Sequence, residues 1–167
     1  MMSKTAKVLF DSSKSTSLNN WRIVDDVVMG GRSNGAIEFT PEGHLQFSGT
    51  ISLENNGGFS SLRYDCPNTA VEGNSVIRVR LKGDGKQYQF RVRHKNDRHS
   101  FITYFNTKGD WQSVEFTLRE LYPTFRGRRL DLPDFNHDSI SEIGFLIGNK
   151  KAETFNLLID RIELVNP

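Results

Sequence analysis

The sequence predicts an all-β protein, a β-sandwich with very little helix, and three observations support this prediction. Short segments alternate apolar and polar residues one by one, which is the period of a half-buried strand. Turn-forming Gly, Pro, Asn and Asp residues separate these segments. Aromatic residues make up 11% of a chain that also has 14 glycines, and this composition favours strands. Many short strands bounded by turns are typical of a two-layer sandwich.

Length, charge and cysteine usage exclude several classes of protein. A chain of 167 residues predicts a single domain over residues 1–167, long enough to bury a core. The lone Cys66 cannot form an internal disulfide, so we expect a reducing compartment and a buried or idle thiol. With 22 basic and 20 acidic residues, the chain is too evenly charged to predict nucleic-acid binding. No apolar run approaches the ~20 residues of a membrane span.

The alternation of apolar and polar residues predicts the positions of the first strands. Val8 and Phe10 predict a short first strand, followed by a polar loop over residues 11–20 that leads to Trp21. A hairpin with one buried face follows, because two alternating segments flank a turn and share one apolar parity: Ile37 and Phe39 before the turn, and Leu45, Phe47, Ile51 and Leu53 after it.

A second hairpin is predicted around the turn at residues 83–86. Matching the parities of its two segments gives a register of facing pairs: Ile77 with Val92, Val79 with Phe90, and Leu81 with Tyr88. The same register places Arg78 opposite Arg91 and Arg80 beside Gln89, which makes a possible polar sheet face. Facing arginines destabilise a sheet unless another group separates them. Two interpretations of the facing arginines remain open. Either a neighbouring carboxylate such as Glu115 neutralises them, or this face binds an anionic or hydroxyl-rich partner.

The second half of the chain continues the β pattern. Residues 94–99 form a charged tip with two histidines and Asp97, but no third ligand stands at a recognisable spacing, so we predict no metal site. The remaining elements are a central strand at 101–105, a half-buried strand at 114–118, one helical turn at 119–122, a basic surface loop at 125–135, and strands at 143–147 and 155–164. A parity change near residues 160–161 predicts a bulge or a strand that switches sheets.

Two glycine-rich segments are the clearest candidates for a functional site. Residues 21–33 and 55–63 each contain a Gly-Gly pair followed by an arginine and serines. Paired glycines permit positive φ and a close approach of backbones. Two interpretations remain open: tight corners between strands, or a structured surface site in which the two corners lie together.

The order of these motifs resembles the complex I intermediate-associated protein 30 family. The matching residues are Trp21, Asp26-Val27-Val28-Met29-Gly30-Gly31, Ser33, Phe47-Ser48-Gly49, Asn55-Asn56-Gly57-Gly58-Phe59, Arg63, Gly83-Asp84-Gly85, Tyr88, Trp111-Gln112, Arg126-Gly127-Arg128 and the segment 155–162. The resemblance covers nearly the whole chain. It departs from the family pattern at Glu153-Thr154, where a glycine is expected, and at residues 117–119, which replace a Pro-Phe turn.

The resemblance implies a fold and a role. The fold is the galactose-binding domain-like β-sandwich, or jelly roll, shared with many carbohydrate-binding modules. The role is non-catalytic and chaperone-like: binding a protein partner, such as an assembly intermediate of NADH:ubiquinone oxidoreductase (complex I). The residues expected to bind the partner lie at the two corners: Asp26, Met29, Gly30, Gly31, Arg32, Ser33, Asn56, Gly57, Gly58, Ser61 and Arg63.

The sequence itself does not predict an enzyme or a cofactor. It contains no Gly-x-Ser-x-Gly elbow, no phosphate-binding glycine loop and no His-Glu-x-x-His motif. Asp25 and Asp26 are neighbours, so in a strand their carboxylates would point in opposite directions. The alternative function is glycan binding, as in a carbohydrate-binding module, through the polar face with Trp21 and Trp111.

The location expected from the sequence is the cytoplasm, most simply of a bacterium. The first residues have neither the apolar core of a secretory signal nor the Arg-rich length of a mitochondrial presequence. The mitochondrial matrix is expected instead if a presequence has been removed from a eukaryotic precursor.

Overall fold

Two antiparallel sheets make up most of the computed structural model, which describes residues 5–15, 17–26 and 31–166, with their side chains except those of Thr5 and Asn56. The strands are β1 (Thr5–Asp11), β2 (Trp21–Asp25), β3 (Asn34–Phe39), β4 (Leu45–Ile51), β5 (Ser60–Ala70), β6 (Val76–Lys82), β7 (Gln87–Arg93), β8 (Ser100–Asn106), β9 (Trp111–Thr117), β10 (Tyr122–Phe125), β11 (Arg128–Arg129), β12 (Ser139–Ile147) and β13 (Glu153–Asn166). Short 3-10 helices occupy Glu54–Asn56 and Leu118–Glu120. The prediction of an all-β fold is confirmed.

The strand order of each sheet determines which residues can share a surface. The six-stranded sheet has the order β3-β4-β13-β6-β9, with β1 also paired to β13. The seven-stranded sheet has the order β11-β10-β8-β7-β12-β5-β2. Neighbours such as β7 and β12 are far apart in the chain, so these surfaces combine residues from distant segments.

The hydrophobic core lies between the two sheets. Phe90 of the seven-stranded sheet stacks on Phe116 of the six-stranded sheet, with ring centroids 4.0 Å apart and planes within 1° of parallel. Phe47 and Phe145 are also fully buried. Burying each such side chain contributes about 1.5–3 kcal/mol. The inward faces of the two sheets therefore hold the sandwich together.

The first predicted hairpin and the predicted bulge are confirmed. Strands β3 and β4 pair as a hairpin, with Ile37 opposite Phe47 and Phe39 opposite Leu45. Leu53 differs from the prediction, because it lies beyond β4 and is 47% exposed. In β13, the register with β6 shifts between Ile159 and Arg161, where the other edge of β13 passes from β4 to β1.

The second predicted hairpin is wrong. Strand β6 pairs with β13 and β9, whereas β7 pairs with β12 and β8, so residues 83–86 carry the chain from one sheet to the other. Alternation correctly identified the buried side chains of both strands. It could not distinguish strands that lie side by side from strands that face each other across a core, because both arrangements bury alternate residues.

The predicted polar sheet face is consequently divided between two surfaces. Arg78 and Arg80 belong to the six-stranded sheet, and Gln89 and Arg91 belong to the seven-stranded sheet. Arg78 lies opposite Glu115 on β9, and its Nη2 is 3.8 Å from the Glu115 Oε2. The carboxylate that the sequence suggested is thus present, although Arg78 does not face Arg91.

Gly83 allows the chain to cross between the sheets, because a Cβ at this position would collide with the Thr107 side chain. The Thr107 hydroxyl donates to the carbonyl of Lys86 at 2.7 Å and accepts from the N–H of Gly85 at 3.1 Å. We expect Gly83→Ala to lower the free energy of unfolding by about 1–2 kcal/mol, measured by chemical denaturation. Gly109→Ala is the control, because a Cβ there meets nothing within 4 Å. Equal effects of both variants would contradict this role of Gly83.

Candidate functional site

The two glycine corners meet at the buried carboxylate of Asp26. Its Oδ1 accepts a hydrogen bond from the N–H of Ser33 at 2.9 Å. Its Oδ2 accepts from the N–H of Gly58 at 2.6 Å, the N–H of Phe59 at 3.2 Å and the hydroxyl of Ser33. One carboxylate thus joins the chain just after the first glycine pair to the chain at the second pair.

Glycine is required at two places around this carboxylate. A Cβ on Gly31 would overlap the Asp26 side chain, and a Cβ on Gly57 would lie 2.5 Å from Asp26 Oδ2. Asp25 makes a separate connection, because its carboxylate accepts from the N–H of Gly35 at 2.8 Å and from the hydroxyl of Ser60. The glycines therefore let backbone N–H groups approach two adjacent carboxylates closely.

Asp26 is a structural anion. Burial raises the pKa of its carboxyl group, but the hydrogen bonds from Ser33, Gly58 and Phe59 outweigh burial and hold the pKa below the usual value for an aspartate. The group is therefore ionised at neutral pH, and its hydrogen bonds are made within the molecule.

The other predicted corner residues differ in accessibility. Ser33 and Ser61 are buried, whereas Arg32 is exposed and its Nε lies 3.5 Å from the Glu54 Oε2. Met29, Gly30 and the side chain of Asn56 lie outside the described residues. Contact of a partner with the corner stays a prediction, and the exposed groups available for it are Arg32, Glu54 and Leu53.

Three arginines lie in one row across the outer face of the seven-stranded sheet. The register places Arg22 opposite Arg63, Arg63 opposite Gly144, and Gly144 opposite Arg91. Gly144 is buried between Arg63 and Arg91, because a Cβ at this position would lie 3.7 Å from the Arg91 side chain and 3.8 Å from the Arg63 side chain. The row could not be predicted from the sequence, since its members come from strands that pair out of chain order.

Glu142 partly neutralises this row. Its Oε2 lies 2.5 Å from Arg22 Nη2 and 3.2 Å from Arg93 Nη2, and its Oε1 lies 3.8 Å from Arg63 Nε. Asp65 makes a second contact to Arg22, at 2.8 Å. We define the arginine surface as Arg22, Arg63, Arg91, Arg93, Asp65, Glu142 and Gly144. Its four arginines and two carboxylates leave an excess of two positive charges.

Arg91 contributes a cation that has no carboxylate partner within 4.0 Å among the described residues. Its Nη1 donates to the Gln89 Oε1 at 2.8 Å. Burial, together with the positive charge of Arg63, lowers the pKa of Arg91 to about 10, so the guanidinium remains charged at neutral pH. A half-buried cation without a carboxylate in direct contact is stabilised when an anion binds beside it.

A groove of about 290 Å³ opens beside Arg91. The Tyr104 hydroxyl accepts from the Gln89 amide at 3.1 Å, and the Arg129 guanidinium lies 4.4 Å from the centroid of the Tyr122 ring. The groove thus combines aromatic rings with planar polar groups. Its lining residues are Gln89, Arg91, Ile102, Tyr104, Tyr122, Thr124, Gly127 and Arg129.

Two further groups bear on the chemistry of the chain. Burial raises the pKa of Cys66 to about 11, so at neutral pH it is a protonated thiol and a poor nucleophile. The absence of a metal site stays a prediction, although the fold brings His137, which is distant in sequence, to His94 and Asp97. None of the helices in the described part of the chain is long and apolar enough to cross a membrane.

Solved structures with a similar fold include carbohydrate-binding modules. The family 11 module of the cellulosomal cellulase Lic26A-Cel5E of Clostridium thermocellum superposes with a TM-score of 0.73 and 17% identity, over 98% of this chain and 95% of the module. A family 11 module from the same organism, in complex with a β-1,3-1,4-mixed-linked tetrasaccharide, gives a TM-score of 0.70 and 18% identity, over 95% and 94% of the two chains. At these identities the likeness shows the fold: a carbohydrate-binding-module-like jelly roll.

Sequence comparison identifies a family. The complex I intermediate-associated protein 30 of Mus musculus, a mitochondrial protein, is 24% identical to this chain over an alignment of 181 positions. The alignment covers 94% of this chain and 55% of the relative. The chain thus spans about half the length of this curated relative. The family model described as complex I intermediate-associated protein 30 (CIA30) matches residues 9–159, which include both corners and the arginine surface. The chain therefore belongs to the complex I intermediate-associated protein 30 family.

Proposed function

We propose that this chain is a non-catalytic binding protein that holds a protein partner during assembly of a larger complex. Family membership supports a partner of the kind named in the family description, an intermediate of complex I. The observation that carries the proposal is the row of Arg22, Arg63 and Arg91 on one sheet face. A location in the compartment where such intermediates form, the mitochondrial matrix or the bacterial cytoplasm, is part of the proposal.

The chemistry of the arginine surface favours an acidic partner segment. Guanidinium groups bind carboxylates through paired N–H donors, and arginine is enriched among the residues that dominate protein interfaces. The arginines stand on paired strands, so their backbone positions are set before a partner arrives. The excess of positive charge attracts acidic segments from a distance and makes association sensitive to salt.

The glycine corners support this surface from one end. Asp26 follows the last residue of β2, and it binds the N–H groups of Gly58 and Phe59 immediately before β5. Those two strands carry Arg22 and Arg63, so the buried carboxylate fixes the strand ends that position the row. The exposed corner residues Arg32 and Leu53 extend the proposed contact beyond the sheet.

Affinity capture from native cells tests the proposal. The double variant Arg63→Gln/Arg91→Gln removes two charges from the arginine surface, and Arg78→Gln/Arg80→Gln removes two from the other sheet as a matched control. We expect wild type and control to recover the same assembly client, and the first variant to recover it at least about 10-fold less, since loss of a desolvated charge pair costs ~2–5 kcal/mol and every ~1.4 kcal/mol is tenfold in affinity. Recovery of no client by the wild type, or equal recovery by both double variants, would contradict the proposal.

Glycan binding is a second candidate function, favoured by the groove beside Arg91. Tyr104 is 47% exposed, and the Gln89 amide and Arg129 guanidinium lie beside aromatic rings, an arrangement suited to sugar hydroxyls and ring faces. Titration with the mixed-linked tetrasaccharide bound by the similar module, followed by a broad glycan array, tests this function. Saturable binding that Tyr104→Ala abolishes would support it, and flat thermograms would eliminate it.

A further inference from the structure

Three of the chain's four histidines gather around the carboxylate of Asp97. The Nε2 of His137 lies 2.8 Å from the Asp97 Oδ2, and the Nε2 of His99 lies 3.5 Å from the same oxygen. The ring of His94 stacks on that of His137, with centroids 4.1 Å apart. His94, Asp97 and His99 belong to the connection between β7 and β8, and His137 precedes β12.

We propose that His94, Asp97 and His137 bind a divalent transition metal ion of the zinc class. One ligand atom from each of the first three residues lies within 4.8 Å of the others. In a tetrahedral zinc site with bonds of about 2.0–2.1 Å, neighbouring ligand atoms are roughly 3.3 Å apart. The separation of His137 Nε2 and Asp97 Oδ2 is 2.8 Å, and the limit on all three separations is 4.8 Å, so the side chains would rotate to bring the three atoms to bonding distance of one ion.

The ligand types and their surroundings suit such an ion. Imidazole favours zinc, copper and nickel, and a single carboxylate adds negative charge. The side chains of Asp97 and His99 are only 16% and 18% exposed. Rings of Phe101 and Phe135 pack edge-on against His137, both with centroids 5.6 Å away. The apolar wall on this side keeps water from competing for the ligands and strengthens the attraction between carboxylate and cation.

The backbone around Asp97 is already fixed. The Asp97 N–H donates to the carbonyl of His94 at 3.0 Å, and Arg93 Nη1 donates to the carbonyl of Asp97 at 3.1 Å. The Nη2 of Arg93 is directed to Glu142. A bound ion would therefore tie the connection after β7 to the segment before β12, the two strands at the centre of the seven-stranded sheet. This inference stands independently of the proposed function.

Calorimetric titration of the chelator-treated protein with Zn²⁺ at neutral pH tests the site. We expect one ion per chain, a Tm that rises with Zn²⁺, and affinity reduced roughly 100-fold in His137→Gln and in Asp97→Asn. His44→Gln is the matched control, because the fourth histidine packs against Trp111, with ring centroids 4.6 Å apart. This variant should bind Zn²⁺ as the wild type does.

A cobalt titration adds a readout of geometry. Tetrahedral Co²⁺ absorbs strongly in the visible range, so we expect these bands in the wild type and in His44→Gln and their loss in His137→Gln. Absence of saturable Zn²⁺ binding in the wild type would overturn the proposal. Unchanged affinity in both His137→Gln and Asp97→Asn would overturn it equally, because the ion would then occupy a different site.

Discussion

Replacing Asp26 by alanine is expected to lower the free energy of unfolding by about 3–5 kcal/mol, because it leaves several buried hydrogen-bond donors without this acceptor. The N–H groups of Ser33, Gly58 and Phe59 would lose their acceptor, and the Ser33 hydroxyl would keep only the Ser52 carbonyl, at 3.2 Å. The two glycine corners would then lose their connection. Urea denaturation of the wild type and of the variant measures the difference.

Two comparisons make this prediction specific. Asp110→Ala removes an exposed aspartate from a turn and should change stability by no more than about 0.5 kcal/mol. Asp26→Asn keeps the shape but places an amide N–H₂ among donors, so it should also be strongly destabilised. A loss below about 1 kcal/mol in Asp26→Ala would mean that other contacts hold the corners together.

The same carboxylate predicts how stability changes with pH. The pKa of Asp26 is lower in the folded chain than in the unfolded chain, so below neutral pH the unfolded state binds the proton more readily. The contribution of ionised Asp26 to the free energy of unfolding is complete above the usual aspartate pKa of about 3.9. It is lost as the pH falls through the lower pKa that Asp26 has in the folded chain. The stability of Asp26→Asn should therefore fall less steeply in this acidic range than that of the wild type.

Glu142→Gln is expected to lower the free energy of unfolding by about 2–3 kcal/mol. The variant leaves Arg22, Arg63 and Arg93 facing one another without their shared carboxylate. The estimate lies below that for a fully buried pair because these arginines are partly exposed to water. Thermal and chemical denaturation measure the loss.

Salt distinguishes charge repulsion from loss of packing in this variant. Added salt screens the exposed ends of the arginines, so the deficit of Glu142→Gln should shrink as ionic strength rises. Glu72→Gln, at an exposed position, is the control and should show little change at any salt concentration. A deficit that is independent of salt would contradict the electrostatic role of Glu142.

Much of the fold could be predicted from the sequence because alternation reports directly which side chains face inward. It identified the inward-facing residues of β3, β4, β6 and β7 and the irregularity in β13. It failed at residues 83–86, where a four-residue connection crosses between sheets although its length also suits a hairpin. Neither composition nor periodicity carries information about which strands are neighbours.

The candidate sites were less predictable, for the same physical reason. The glycine pairs indicated a close backbone approach, but the sequence did not reveal that the approaching group is the buried carboxylate of Asp26. The sequence indicated Arg63 at a glycine corner and Arg91 on a polar sheet face, but it did not place either of them in a row with Arg22. Only the pairing of β2, β5, β12 and β7 aligns them, and only the path of the chain before β12 brings His137 to Asp97.

The binding face can be observed directly by NMR titration of the arginine Nε–Hε resonances with the acidic segment of the captured protein partner. We expect Arg63 and Arg91 to shift with saturation, with the shifts weakening as salt is added, while Arg78 and Arg80 on the opposite sheet stay unchanged. Shifts confined to Arg78 and Arg80, or no shift in any arginine of the seven-stranded sheet at saturation, would contradict partner binding through the arginine surface.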